Sequence, residues 1–140
     1  MTLSSAEARE RFAAARVARL ATADAGGRPH VVPVVFAVDG DRVFTVVDAK
    51  PKRTVELRRL RNVAANPRVS LLVDHYDDGD WDALWWVRAD GVGRVLDPSA
   101  DAEAARAVAL LRARYPQQRA VGAVLAVDVQ RWSGWSAASG

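Results

Sequence analysis

Three basic residues just before a predicted helix have the right chemistry to bind a phosphate. Lys50, Lys52 and Arg53 follow the apolar run Val43–Val47, and a helical pattern begins at Thr54. A helix N-terminus has unpaired backbone N–H groups and a positive dipole end, so it favours an anion. Lysine adds a point charge and arginine a planar fork of donors. The pattern indicates a phosphate site, with a solvated basic loop as the alternative.

The elements around this turn would fix its position. Thr54 is a plausible N-cap, and the helix is predicted to end at Asn66 because the residue before Pro67 is pushed out of the α region. A second apolar run, Val69–Val73, follows. The order is therefore strand, basic turn, helix, strand.

The N-terminal part predicts a helix and then a hairpin. Ser4 and Glu7 fit a capping box, and an alanine-rich helix follows to Ala15. The alternation in Arg16–Ala21 predicts a first strand, and the glycine-rich turn 24–27 leads out of it.

The next segment predicts a second strand over Pro29–Val38. It is apolar on both faces, which favours burial on both sides. Pro33 cannot donate to a β-ladder, so it indicates an edge, a bulge or a place where something other than a strand lies alongside. Asp39-Gly40 predicts a hairpin into a third strand, Arg42–Val47.

The C-terminal half predicts two more strands and a helix. Trp85–Leu96 is predicted as a long strand, with a bend or bulge at its glycines. A helix is predicted to start at Asp97-Pro98-Ser99 and to end at Pro116. Val121–Val129 is a last strand, and Arg131–Ser136 is predicted as a tail.

In sum, the chain predicts a mainly β, α+β fold with about six antiparallel strands and about three short helices, in a closed or partly closed barrel. The length of 140 residues suits one domain. Cysteine is absent, which excludes disulfides and thiolate chemistry. No run is long enough to cross a membrane and the N-terminus lacks a signal-peptide core, so we expect a cytoplasmic protein.

Other residues that could do chemistry give weaker signals. His30 and His75 lack ligand-like spacing, and His30 is predicted to be a surface or loop residue. The aspartates of the stretch 77–82 are not spaced as an EF-hand and predict a solvated loop. No Ser-His-Asp set stands out, so no catalytic residue is named.

Several segments together resemble a known family. The strand containing Pro33, the Lys-Pro-Lys-Arg-Thr turn and the strand after Asn66-Pro67 are similar to those of pyridoxamine 5'-phosphate oxidase-like proteins. The stretches Asp80–Gly91 and Arg131–Ser136 resemble the actinobacterial branch that uses the deazaflavin coenzyme F-420. The resemblance implies a split β-barrel of the FMN-binding type that binds its cofactor at a homodimer interface.

The resemblance also implies a set of site residues. Lys52 and Arg53 correspond to the basic pair that holds the cofactor phosphate, and Lys50 could reach an acidic cofactor tail. Independently of the resemblance, Arg88 is expected to pair with an acid because it is a cation within a predicted strand, near Trp86. The cofactor ring would lie against backbone of the second and third strands, here Val32, Pro33, Val34 and Val35 and then Thr45, Val46 and Val47. The partner subunit would close the pocket with aromatic groups, for which Tyr76, Trp81 and Trp85 are the candidates. Separately, His75 follows the fourth strand and could touch the cofactor.

The function that follows is an F-420-dependent oxidoreductase moving a hydride to or from a small conjugated substrate. FMN as the cofactor, and a non-catalytic F-420-binding or storage protein, are the alternatives. A nucleic-acid-binding barrel is disfavoured because the first tryptophans lie beside aspartates rather than basic residues, and no membrane partner is expected.

Overall fold

The computed structural model describes residues 1–48, 54–118 and 121–138, with backbone alone for Asp48, residues 54–57 and Val121. It contains the helices α1 (Ser5–Ala14), α2 (Thr54–Ala65) and α3 (Ala102–Arg114) and a short 3-10 helix at Trp81–Ala83. The strands are β1 (Ala18–Ala23), β2 (Pro29–Val34), β3 (Ala37–Asp39), β4 (Arg42–Asp48), β5 (Arg68–His75), β6 (Trp85–Leu96) and β7 (Val121–Ser136).

All seven strands form one antiparallel sheet in the order β2-β1-β5-β6-β7-β4-β3. The two edge strands, β2 and β3, are neighbours in the chain and are joined only by Val35 and Phe36. The sheet must therefore curl until its edges meet, which makes a barrel that is split between β2 and β3. The predicted antiparallel, partly closed barrel is confirmed.

The predicted second strand was wrong in two respects. It is broken at Val35 and Phe36 into β2 and β3, which raises the strand count from about six to seven. It is also not buried on both faces, because Val31 is 59% exposed and Pro33 is exposed. β2 is an edge strand, which is one of the positions that Pro33 indicated in the sequence. A proline is tolerated there because it does not interrupt the hydrogen bonds in the middle of the sheet.

Three predicted boundaries also moved. β1 begins at Ala18 rather than Arg16. Asp97 accepts hydrogen bonds from Ser99 in a turn, so α3 starts later, with Asp101 as its N-cap. The predicted tail over Arg131–Ser136 is wrong, because these residues extend β7 and pair with β6.

Several local signals are confirmed in detail. Ser4 and Glu7 form the capping box of α1. The register of β6 against β7 shifts between Asp90 and Gly91, which is the predicted bulge. A Cβ added at Gly91 would lie 2.3 Å from a backbone carbonyl oxygen of β7, so the close approach of the strands requires glycine there.

The core consists of two clusters on opposite faces of β4 and β7. Val43 and Leu125 point into the barrel, where α1 inserts Phe12 against Phe36 and Trp132 with ring centroids 4.8 and 5.3 Å apart. Phe44 and neighbouring side chains point the other way and are covered by α3. No helix within the described ranges is long and apolar enough to span a membrane.

A charge network fastens α3 to the sheet. The guanidinium of Arg94 donates two hydrogen bonds to each of two carboxylates, those of Glu103 on α3 and Asp128 on β7, at 2.8–3.1 Å. Arg42 on β4 pairs with both carboxylates as well, at 2.9 and 3.3 Å. The N-terminal turn of α3 is therefore tied to three strands.

Candidate functional site

The predicted phosphate ligands cannot be placed. Lys50, Lys52 and Arg53 lie outside the described residues, as does the side chain of Thr54. The structure does describe both ends of their segment, since β4 ends at Asp48 and α2 begins at Thr54. Their role in binding stays a prediction.

The two segments predicted to contact the cofactor ring meet where the barrel is split. Val35 lies between the edge strands, and its carbonyl oxygen accepts a hydrogen bond from the Thr45 hydroxyl of β4 at 2.8 Å. We call this place the seam. It joins the end of Val32–Val35 to the start of Thr45–Val47, two segments that lie ten residues apart in sequence.

The seam offers backbone and a few apolar groups to a ligand. Val34, Val46 and Val47 are 4–8% exposed, so their side chains are packed in the protein and their backbone is what they can present. Val32 and Val35 are half-buried. Among the described residues β2 has one strand neighbour, so polar backbone groups along its other edge are available to a ligand. This arrangement fits a flat ring with a polar rim, which needs apolar contacts and backbone partners.

Aromatic groups cluster where β5 ends and β6 begins. His75 and Trp85 lie opposite each other, with stacked rings 6.4 Å apart. Arg11 of α1 lies over the Trp85 ring at 5.5 Å, and a cavity of about 260 Å³ lies between them and Ala14 and Ala15. The sequence did not indicate that α1 contributes here, because no local pattern links a helix face to a strand more than 70 residues away.

The loop between β5 and β6 holds the remaining predicted aromatic groups. Tyr76 is 60% exposed and Trp81 65% exposed, so both are free to meet a ligand or another chain. The Tyr76 hydroxyl donates to Asp78, and Asp77 and Asp80 accept backbone N–H groups of their own loop. Within the described part of the chain, no three acidic, histidine or cysteine side chains are grouped as a metal site.

Arg88 lies on the face of the sheet that points away from the interior of the barrel, and we call this the outer face. This face is formed by the outward residues of β2, β1, β5, the start of β6 and the end of β7. Arg88 pairs with Asp90 at 2.9 Å, as predicted, and lies over the Trp86 ring at 5.6 Å. The Ser70 hydroxyl also donates to Asp90 at 2.5 Å. Trp85 packs on the core cluster and Trp86 lies on the outer face, which confirms that these neighbours point oppositely.

His30 was predicted to be a surface or loop residue, and it is a partly exposed residue of an edge strand rather than of a loop. It lies in β2 opposite Thr22 and is half-buried, because alternate residues of β2 point inward. Burial lowers the pKa of His30, and the nearby guanidinium groups of Arg58 and Arg59 on α2 lower it further. The lowered pKa favours the neutral form of the His30 ring.

The structure and the sequence place the chain among known proteins. The fold is the split β-barrel of FMN-binding type. It superposes on a FAD-binding protein from Mesorhizobium loti with a TM-score of 0.73, at 24% identity and with 96% and 95% of the two chains covered. It superposes on the FAD-binding protein from Mycobacterium smegmatis with a TM-score of 0.68, at 19% identity and with 96% of each chain covered.

The family follows from the sequence match. Residues 4–136 match the family model described as pyridoxamine 5'-phosphate oxidase, and the chain belongs to that family. It is also 36% identical over 78 residues to a 5a,11a-dehydrotetracycline/5a,11a-dehydrooxytetracycline reductase of Streptomyces rimosus. That alignment covers 56% of this chain and spans about half, 54%, of the relative.

Proposed function

We propose that the protein is an oxidoreductase that binds the deazaflavin coenzyme F-420 at the seam and transfers a hydride to or from a small conjugated organic molecule. The observation that carries this proposal is the meeting of the two predicted ring-contacting segments, joined by the hydrogen bond from Thr45 to Val35. The similarity to a reductase of Streptomyces supports reductive chemistry and the actinobacterial branch.

The residues present are suited to positioning rather than to proton chemistry. The backbone of Val32–Val35 would hold the polar rim of the ring, and Lys52 and Arg53 would hold its phosphate near the start of α2. When bound in its reduced form, a deazaflavin would supply a hydride to one carbon of a conjugated double bond and become oxidised, and the balancing proton would come from solvent. The protein then needs to orient the two partners, which requires no nucleophile of its own.

FMN is the second candidate cofactor. Two solved structures with this fold are named FAD-binding proteins, which favours a flavin as the alternative. F-420 and FMN share a ribityl phosphate, so the same basic turn would serve either. A non-catalytic F-420-binding or storage protein would use the same seam without a substrate site.

We further propose that the protein is a homodimer that pairs through the outer face. Val31, Leu72 and Trp135 on this face are 59%, 38% and 40% exposed. Exposed apolar side chains on one face of a protein are typical of a surface that binds another chain. Among the described residues no helix packs on it, since α1 and α2 insert Phe12 and Val63 into the barrel and α3 covers the β3-β4 side. A second copy would cover these groups and bring its own aromatic loop near the seam.

The cofactor proposal is tested by titrating the protein with F-420 and, separately, with FMN, following tryptophan and cofactor fluorescence. We expect tighter binding of F-420, and we expect Lys52→Ala with Arg53→Ala to weaken it by at least about a hundredfold, because two charge-assisted bonds to phosphate are lost. The matched control removes two exposed arginines from helices, Arg61→Ala on α2 with Arg112→Ala on α3, and should keep the affinity within a few fold. Equal affinities in the two double variants would show that the turn does not hold the phosphate.

The dimer proposal is tested by light scattering of the eluting protein. Leu72→Glu places a charge in the centre of the outer face and should convert the dimer to a monomer. Val95→Glu is the control, because Val95 is 43% exposed but lies on the other face of the sheet. A wild-type monomer that binds the cofactor tightly would refute a shared pocket.

A further inference from the structure

A guanidinium at the end of α3 reaches the seam from the side of the helices. Arg114, the last residue of α3, donates from Nη1 to the carbonyl oxygen of Phe36 at 3.0 Å and from Nη2 to the carbonyl oxygen of Ala15. Ala15 caps the C-terminus of α1, and Phe36 lies in the break between β2 and β3. One side chain therefore connects α1 and α3 to the seam.

Ion pairing does not explain why this charge is partly buried. Within the described ranges, no carboxylate forms an ion pair with Arg114. Burial is the main cause that lowers the pKa of Arg114, so its surroundings disfavour the charge. The hydrogen bonds to the two carbonyl oxygens must offset this cost. An apolar side chain would avoid the cost altogether, so what an arginine adds at this position is its donors.

The neighbouring side chains hold the Arg114 guanidinium in one orientation. It lies 4.9 Å from the ring centre of Phe36 and 5.4 Å from that of Tyr115. The Tyr115 hydroxyl donates to the carbonyl oxygen of Arg16 at 2.8 Å, and the Arg16 guanidinium lies over the Tyr115 ring at 4.5 Å. Arg16 also donates to the carbonyl oxygen of Arg114 at 3.0 Å. The planar fork of donors is therefore already aligned with its acceptors.

Two successive carbonyl groups of the seam are fixed in this way. The Thr45 hydroxyl binds the carbonyl oxygen of Val35, and Arg114 binds that of the next residue, Phe36. Each peptide group is planar, so a bond that holds its oxygen also sets the direction of the N–H group in the same plane. Val35 is half-buried, so it keeps surface that a ligand can reach, whereas Phe36 is fully buried.

We propose that Arg114 is a positioning residue of the seam, which holds the chain at Val35 and Phe36 in the conformation that receives the cofactor ring. The presence of a ring at the seam rests on the proposed function, whereas the contacts of Arg114 do not depend on it. A segment that is already ordered loses less conformational freedom on binding, so the same contacts give a higher affinity. Arg114 acts through the backbone of the seam and is not itself a ligand of the ring.

The first measurement needs no cofactor. Backbone order parameters from NMR relaxation compare the wild type with Arg114→Met, which keeps an apolar stem but loses the donors. We expect the values for residues 35–37 to fall from about 0.85 to about 0.6 or below. Arg94→Met is the control, because it removes the bonds to Glu103 in the first turn of α3 and leaves the seam untouched. Its order parameters for residues 35–37 should equal those of the wild type.

The second measurement is the affinity for F-420 and, separately, for FMN, by fluorescence titration of the folded protein. Arg114→Met should weaken binding of the preferred cofactor by about tenfold, which corresponds to restoring the backbone freedom of one residue. Arg94→Met should keep the affinity of the wild type. Arg114→Lys retains the cation without the planar fork, so its affinity should lie between the two. It also replaces Arg114→Met in both measurements if methionine prevents folding.

The outcomes separate this inference from the proposed function. If the wild type binds neither cofactor, the proposed function is refuted, and the order parameters alone decide whether Arg114 positions the seam. If residues 35–37 stay rigid without the guanidinium, or if Arg114→Met weakens binding no more than Arg94→Met does, Arg114 only packs α3 against the barrel and the inference is overturned.

Discussion

The replacement Arg94→Met tests how the charge network holds α3 on the barrel. Methionine keeps an apolar stem of similar length, so the change removes the guanidinium while preserving most of the packing. Four hydrogen bonds to two carboxylates disappear. Glu103 and Asp128 then face each other with Arg42 as their cation.

The expected loss of stability is moderate because the network is partly open to solvent. Hydrogen bonds to charged groups contribute about 1.5–3 kcal/mol each when well buried, whereas exposed ion pairs contribute about 0–1 kcal/mol. The side chain of Arg94 is 36% exposed, and Glu103 and Asp128 are 24% and 43% exposed. We therefore expect the free energy of unfolding to fall by about 1–3 kcal/mol, measured by urea denaturation at pH 7.

The same network predicts a pH dependence of defined sign. Hydrogen bonds from Arg94 are the main cause that lowers the pKa of both Glu103 and Asp128. A carboxyl group with a lowered pKa in the folded state stabilises the fold above its ordinary pKa, here 4.5 for Glu and 3.8 for Asp, and that stabilisation is lost as the pH falls through the folded value. The difference in the free energy of unfolding between the wild type and Arg94→Met should therefore become smaller at acid pH.

Arg106→Met is the matched control. Arg106 lies on α3 and, like Arg94, joins this helix to the sheet, since it pairs with Asp39 of β3 at 3.1 Å. Its side chain is 67% exposed, more than that of Arg94. Its replacement should change the free energy of unfolding by less than about 1 kcal/mol. Equal losses in the two variants, or a loss in Arg94→Met that is unchanged at acid pH, would refute this account of the network.

Two further substitutions test the core and the bulge. Phe12→Ala should lower the free energy of unfolding by about 3–5 kcal/mol, because the ring is fully buried against Phe36 and Trp132; a loss below 1 kcal/mol in urea denaturation would contradict this packing. Gly91→Ala should cost about 1–3 kcal/mol or more, since its Cβ would lie 2.3 Å from backbone. Gly26→Ala is the control, where the nearest atom is 3.5 Å away, and its melting temperature should stay near that of wild type.

Elements whose boundaries depend on neighbouring residues were predictable from the sequence. The capping box at Ser4, the end of α2 before Pro67 and the bulge at Gly91 each follow from one local steric or hydrogen-bonding rule. The strand Trp85–Leu96 was predicted with its observed bounds. Such signals need no knowledge of what packs on the element.

The errors arise where the outcome depends on distant partners. The run Pro29–Val38 is apolar on both faces, but that pattern does not distinguish a central strand from an edge strand with an apolar exposed face such as Val31. The segment Arg131–Ser136 was predicted to be a tail, but it pairs with β6 as part of β7. A Cβ at Gly134 would lie 2.7 Å from the Trp86 carbonyl oxygen, so this glycine serves the pairing with β6.

The candidate site was predictable only in part. The resemblance to the family identified the two segments that meet at the seam. The hydrogen bond from the Thr45 hydroxyl that joins them depends on how the strands are arranged in the sheet. The contribution of Arg11 beside Trp85, and the burial of His30 under α2, likewise depend on how remote elements dock. Functional residues within one segment can be predicted from the sequence, whereas contacts between remote segments can be identified only once the fold is known.

The position of β7 between β6 and β4 has a consequence for how the chain folds. β7 is the last strand along the chain, yet it separates β4 from β6 and pairs with both; Arg42 lies opposite Asp128. Contacts between such distant segments make folding slow compared with that of helical bundles. Until β7 has been synthesised, β4 and β6 each present an unpaired edge, which is the condition that favours aggregation of nascent β-proteins. The barrel can therefore be completed only after β7 has docked between β4 and β6. The yield of folded protein on expression should depend on how quickly that docking occurs.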